Sequence, residues 1–132
     1  MPNKRLISSG SAFETLAGYS RAVLEHGLVH VAGTTGFDYA TMTISDDVVV
    51  QTHQCFANIS AALAQAGCTL DDVVRVHYLL TEAAQFAQLA PIFGHYFKAA
   101  RPAATATIVG LIDPRMKIEI EVTARQPEGA GR

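Results

Sequence analysis

Residues 116–123 alternate without a break. Met116, Ile118, Ile120 and Val122 point one way, and Lys117, Glu119, Glu121 and Thr123 point the other. Successive side chains of a strand leave on opposite faces, so this segment reads as a strand with one apolar and one polar face. A sheet built around it must be covered by another layer on the apolar side. The polar side is left for solvent, a ligand or a subunit contact.

The rest of the chain supplies strands and cover. Two alternating runs, residues 20–25 and 28–32, meet at His26-Gly27, where glycine gives the positive φ of a tight turn, and read as a hairpin. The polar stretch Gly33-Thr34-Thr35-Gly36 with Asp38, Thr41 and Thr43 reads as a loop. Within residues 46–66, Val49, Phe56, Ile59, Leu63 and Ala66 draw one stripe of a helix; Asp46 and Asp47 sit at its positive end and Gly67 at its close. Residues 73–80 read as a half-buried strand, with Val74, Val76, Tyr78 and Leu80 inward and Arg75 and His77 outward. Phe86, Leu89, Phe93 and Phe97 mark a second helix, whose main part is expected to begin near Pro91 because proline lacks an N–H and clashes with the preceding turn. Residues 104–109 read as a further strand, with Ala104 and Ala106 mixed into the polar face, and residues 110–114 as a connector. The expected class is α+β, a mixed sheet with two helices packed on one face. Residues 126–132 read as a frayed tail.

A chain of 132 residues is expected to form one domain, and at 49% hydrophobic against 17% charged it has enough apolar material for a real core. With 10 basic and 12 acidic residues and no basic run, it lacks the clustered charge that non-specific nucleic-acid binding requires. Cys55 and Cys68 form no metal-like spacing and read as free thiols of a reducing compartment. Met1-Pro2-Asn3-Lys4-Arg5 leads into no long apolar run, and no uncharged stretch approaches the about 20 residues that cross a bilayer. A cytoplasmic protein without a membrane span is the expectation.

No GxGxxG, phosphate loop or HExxH is present, so neither a metal nor an organic cofactor is expected. His53 and His77 read as packed or half-exposed side chains as readily as bases, and Cys55 and Cys68 as small buried residues unless a base stands beside them. Glu119 and Glu121 share a strand face roughly 7 Å apart, with Lys117 on the same face. They form either a solvated ladder of charge or a pair in which one carboxylate, held in a cleft, positions a water or takes a proton.

Several short motifs stand in a telling order. Gly18-Tyr19-Ser20 precedes the hairpin and Ala32-Gly33 ends it; Asn58-Ile59 lies on the first helix and Ala66-Gly67 closes it; Phe97 ends the second helix; Arg101-Pro102-Ala103 and Lys117-Ile118-Glu119-Ile120-Glu121 follow. Over about residues 6–125 this set resembles the reactive intermediate deaminase family, also called YjgF or RidA-like. The resemblance implies a chorismate-mutase-like subunit assembling as a homotrimer, with ligand clefts between neighbouring chains. It also implies hydrolysis of a small enamine or imine to a carbonyl compound and ammonia without a cofactor. By motif, Glu119 takes the place of the water-positioning glutamate, Tyr19 that of the tyrosine closing the cleft, and Gly33 that of the cleft glycine.

The chain departs from the family at one place. Family deaminases carry an arginine that grips the substrate carboxylate, and the corresponding position here is Ala104, in Pro102-Ala103-Ala104; a second-helix asparagine of the family is likewise replaced by Ala90. The resemblance therefore implies an atypical substrate. Arg115 or Arg101 could restore the charge, or Thr105 and Thr35 could give neutral hydrogen bonds to a substrate without a carboxylate. The alternative is a trimer that binds a small metabolite without chemistry.

Overall fold

The computed structural model describes residues 4–128. Its elements are β1 (Arg5–Ile7), α1 (Ala12–Ala17), β2 (Ala22–Glu25), β3 (Leu28–Thr35), β4 (Phe37–Asp38), β5 (Thr43–Ile44), α2 (Val48–Ala64), a single 3-10 turn (Leu70–Asp72), β6 (Val73–Leu80), α3 (Gln85–Tyr96), β7 (Ala103–Ile108) and β8 (Ile118–Arg125). Six strands form one sheet in the order β1-β2-β3-β8-β6-β7, antiparallel except where β7 runs parallel beside β6. The alternating segment at the end of the chain thus becomes an inner strand, as a strand with one strongly apolar face should.

Both long helices cover that apolar face. Phe56, Ile59 and Leu63 of α2, with Leu89 and Phe93 of α3, share one core with Val29, Val31, Val76, Leu80, Ile118, Ile120 and Val122 of the sheet. Stacked aromatic rings tie α3 to both neighbours: Tyr78 of β6 lies on Phe93 at 3.8 Å between ring centroids, and Phe56 of α2 on Tyr96 at 4.0 Å. Asp47 caps α2 by accepting from the Val49 and Val50 N–H groups. The hairpin turns through His26 and Gly27, both at positive φ, which matches the twist of its strands.

Several expectations are corrected. The stretch from Gly33 onward is not a bare loop: β3 runs on to Thr35, paired with β8, and β4 and β5 pair with each other beyond Gly36. A third helix, the short α1, precedes the hairpin; Ser11 caps it with its hydroxyl and Gly18 ends it. The second helix does not wait for Pro91 but starts at Gln85 and carries the proline inside. Pro91 and Ala87, whose carbonyl loses its partner, both face solvent, so water can take the missing bond. Val74 is 48% exposed, because β6 holds an extra residue between Val73, opposite Ala124, and Arg75, opposite Thr123. Such a bulge reverses the inward and outward order on its N-terminal side. Ala104 and Ala106 do not lie on the polar face: they pair with Val76 and Tyr78 and so share the helix-covered side. Gln126 is tied down by its N–H to the Gly27 carbonyl and by its amide to the Ala66 carbonyl; residues 129–132 of the expected tail lie outside the described residues.

Candidate functional site

The site grows from an irregularity in β3. Val31 pairs with Val122 and Thr34 with Ile120, so Ala32 and Gly33 together stand opposite the single residue Glu121. This bulge turns Gly33 toward the next residue of β8 on the polar face, Glu119, whose carboxyl lies directly over it. A Cβ at position 33 would come within 2.8 Å of the Glu119 Cδ, so any side chain here would push that carboxyl aside. The bulge is held from behind by Arg21, which is 1% exposed. Its guanidinium donates to the Gly33 carbonyl at 2.8 Å, to Thr34 Oγ1 at 3.1 Å and to the Tyr19 hydroxyl at 3.3 Å, and it lies over the Tyr39 ring. Asn58 of α2 donates to the Thr35 and Phe37 carbonyls, and the Tyr39 hydroxyl accepts from the Thr35 N–H.

In front of the bulge lies a cavity of about 540 Å³ lined by Phe13, Leu16, Ala17, Tyr19, Gly33, Thr35, Tyr39, Ile112, Met116 and Glu119. The site residues expected on Glu119, Tyr19, Gly33 and Thr35 come together here. Glu119 is the only charged group in the lining among the described residues. Burial pushes its carboxyl above the ordinary carboxylate value, the Glu121 charge adds to that shift, and Arg21 opposes it. Burial likewise raises the Tyr19 phenol, with the Arg21 charge acting against the shift. A half-buried carboxylate of raised basicity among apolar walls suits proton transfer.

The comparisons with known proteins speak to the whole chain. The family model described as "Endoribonuclease L-PSP" matches residues 9–126. The chain belongs to the YjgF/RidA-like family. It is 32% identical over 124 residues to the human protein named "2-iminobutanoate/2-iminopropanoate deaminase", covering 93% of this chain and 90% of that one. The goat protein of the same name is 31% identical over 124 residues, with the same coverage. Among solved structures, the YjgF-family protein Rv2704 of Mycobacterium tuberculosis superposes with a TM-score of 0.84 at 39% identity, covering 93% of this chain and 99% of that chain.

Against this RidA-like frame, the remaining expected site residues fall elsewhere. Ala104 and Thr105 line a separate groove of about 380 Å³ between α3 and β7, together with Ala90 and Arg101. Thr105 Oγ1 accepts from Arg75 at 2.8 Å. Arg115 forms a two-point ion pair with Asp113, through Nε at 3.0 Å and an η nitrogen at 2.8 Å, and holds the Asp113 carboxyl down at about 2. It lines neither cavity. Cys55 is fully buried, its thiol donates to the Thr34 carbonyl at 3.4 Å, and burial pushes its pKa up, so it stands as a core residue. His53 shares a 2.6 Å hydrogen bond with the Tyr96 hydroxyl and joins α2 to α3, while His77 bridges Glu121 and Thr107 on the polar face. No group of three or more His, Cys, Asp or Glu side chains among the described residues could hold a metal ion, and no helix among them is long and apolar enough to cross a membrane. Sequence reasoning missed Arg21. The one signal was an arginine immediately before an apolar hairpin strand, which looks the same as a surface charge.

Proposed function

We propose that this protein hydrolyses a small imine or enamine to a carbonyl compound and ammonia, with Glu119 as the proton-transferring group. The observation that carries the reading is the Glu119 carboxyl lying over Gly33 in a cavity with no other charge. Glu119 takes a proton from water as the water oxygen bonds to the imine carbon. It passes that proton to nitrogen, giving a carbinolamine, and then relays the second proton of the water from the carbinolamine hydroxyl to nitrogen as the carbon–nitrogen bond breaks, so that ammonia leaves and the carbonyl forms. The apolar walls disfavour the ionised carboxylate, which makes it the stronger base. Tyr19, whose hydroxyl accepts from Arg21, lines the cavity, and Thr35 offers a neutral hydrogen-bonding group. The names of the human and goat relatives give the reaction class independent support.

The same reading includes a homotrimer with its clefts between chains. Glu119, Tyr19, Gly33 and Thr35 line one cavity of a subunit, and Ala104 and Thr105 line another. One cleft containing both sets therefore needs two subunits. Exposed apolar side chains beside these cavities fit burial in such a contact, among them Leu16 at 86% and Ile112 at 97%.

The test is ammonia release from freshly generated 2-iminobutanoate and 2-iminopropanoate, and from imines without a carboxylate. The wild type should turn over at least one of them, and Glu119→Ala should lose on the order of 10²–10⁴-fold in kcat while keeping its fold. Binding without turnover would instead favour a metabolite-binding protein. Equal turnover in wild type and Glu119→Ala would remove the proposal.

A further inference from the structure

We propose that the pocket between α2, the β1–α1 connection and the end of β4 is a second small-molecule site, which takes an uncharged molecule bearing a primary amide and anchors it on Arg21 and Asp38. The pocket measures about 300 Å³, and Ala40, Ala61 and Ala62 in its walls leave it roomy. Asp38, Ala40, Ala61 and Gln65 are exposed, so it opens to solvent. It shares only Tyr39 with the Glu119 cavity, and the inference therefore stands apart from the hydrolase reading.

Arg21 supplies the need for an occupant. It lines this pocket and not the Glu119 cavity. Its two η nitrogens donate to the Gly33 carbonyl, to Thr34 and to Tyr19. Its Nε is buried without a hydrogen-bond partner, the one side-chain nitrogen or oxygen of which this is true among the described residues. A buried donor left unpaired costs free energy that an acceptor oxygen recovers. Asp38 offers the complement. Its Oδ1 accepts from the Ala40 and Thr41 N–H groups, which leaves Oδ2 to a further donor. Charge decides the class of ligand. Arg21 and Asp38 are one cation and one carboxylate in the same lining, and the buried Glu14 carboxyl also lies in the field of Arg21. No positive charge is left over to draw an anion. A primary amide carries an acceptor oxygen and two N–H donors on adjacent atoms, and so serves Nε and Oδ2 together without a net charge.

The experiment titrates the whole 15N-labelled protein with propionamide and follows the backbone amides and the Arg21 Nε–H resonance by NMR. N,N-dimethylpropionamide, which lacks the N–H donors, and propionate, which is an anion, serve as comparison probes. Propionamide should saturate one site with a Kd on the order of 1–10 mM, as a ligand of this size allows. It should move the Arg21 Nε–H together with the amides lining the pocket, and both comparison probes should bind at least about tenfold more weakly. Ala61→Leu fills the pocket from an exposed position and should abolish binding. Asp38→Asn keeps the Oδ1 bonds of the turn but puts a donor in place of Oδ2, and should raise the Kd about tenfold. Ala57→Leu, one turn away on α2 and outside the lining, should bind as wild type does. Thermal unfolding checks that each variant is folded. The proposal is overturned if wild type shows no saturable shift, which would leave the pocket to solvent, or if the Arg21 Nε–H does not move. It is equally overturned if Ala61→Leu or Asp38→Asn binds unchanged, if Ala57→Leu loses binding as well, or if either comparison probe matches propionamide.

Discussion

The Glu119 cavity and the α3–β7 groove are built on one sheet by opposite means. The first rests on the inner strands β3 and β8, and its geometry is fixed by buried polar groups: Arg21 on the Gly33 carbonyl, Asn58 on the Thr35 and Phe37 carbonyls, and the Tyr39 hydroxyl on the Thr35 N–H. The second rests on β7, the edge strand, whose residues are nearly all exposed, and on α3, which begins without a side-chain cap. A bulge buried under several hydrogen bonds has one arrangement available to it, while an exposed edge lined by alanines can change side chains without refolding. The carboxyl proposed to carry the chemistry is thus held where substitution is costly. The α3–β7 groove lies where substitution is cheap.

Arg21→Met should break this comparison most severely. It removes three donors from buried acceptors and a cation from between two tyrosine rings, and should cost about 3 kcal/mol, seen as a fall of roughly 10 °C in Tm. A Tm within error of wild type would show that the bulge is held by the β3–β8 ladder and Asn58 alone. Gly33→Ala should sharpen the comparison. The new Cβ meets the mobile end of Glu119 and not backbone, so Tm should barely move, while displacement of the carboxyl should lower kcat by roughly 10²-fold. Ala104→Val, the same kind of enlargement in the groove, should leave both Tm and kcat for the smallest imines near wild type. Equal losses in the two variants would mean that the regions are not mechanically distinct.

Legibility in the sequence follows the same division. Periodicity gave β8, the hairpin and the stripe of α2, because burial on one face forces those patterns. It failed at Val74 because the β-bulge there adds a residue and alternation read across it assigns the wrong face, and at Gly33 because the bulge and the polar residues after it hid a strand that runs on to Thr35. It failed at Pro91 because the helix turns its defect to solvent, which composition does not register. The association of Glu119, Gly33 and Tyr19 came from the resemblance to a family and from no spacing, since the three stand on different elements. Ala104 was assigned to the same cleft by the same route, and only the parallel β6–β7 register places it on the other side of the sheet. Arg21 stayed hidden because a buried arginine is uncommon, and its burial is decided by carbonyls distant in sequence.

The smallest expected effect concerns pH and separates the two regions by their charge. Burial and Glu121 lift the Glu119 carboxyl above its ordinary value of 4.5, so the folded state binds more protons than the unfolded state between 4.5 and the folded pKa. Stability must then decline as pH rises through that window, because the ionised carboxylate is less favoured in the fold than in the unfolded chain. Asp113 does not interfere. Its carboxyl is held near 2 by Arg115, so its contribution is complete above the ordinary 3.8 and is lost only as pH falls toward 2. Chemical denaturation across this range should show the decline in wild type and its removal in Glu119→Gln. Arg101→Gly should keep the decline parallel to wild type, since the groove lining contains no carboxylate. A slope that survives in Glu119→Gln would assign the titration to another group and would leave the Glu119 carboxyl no more basic than one on the surface.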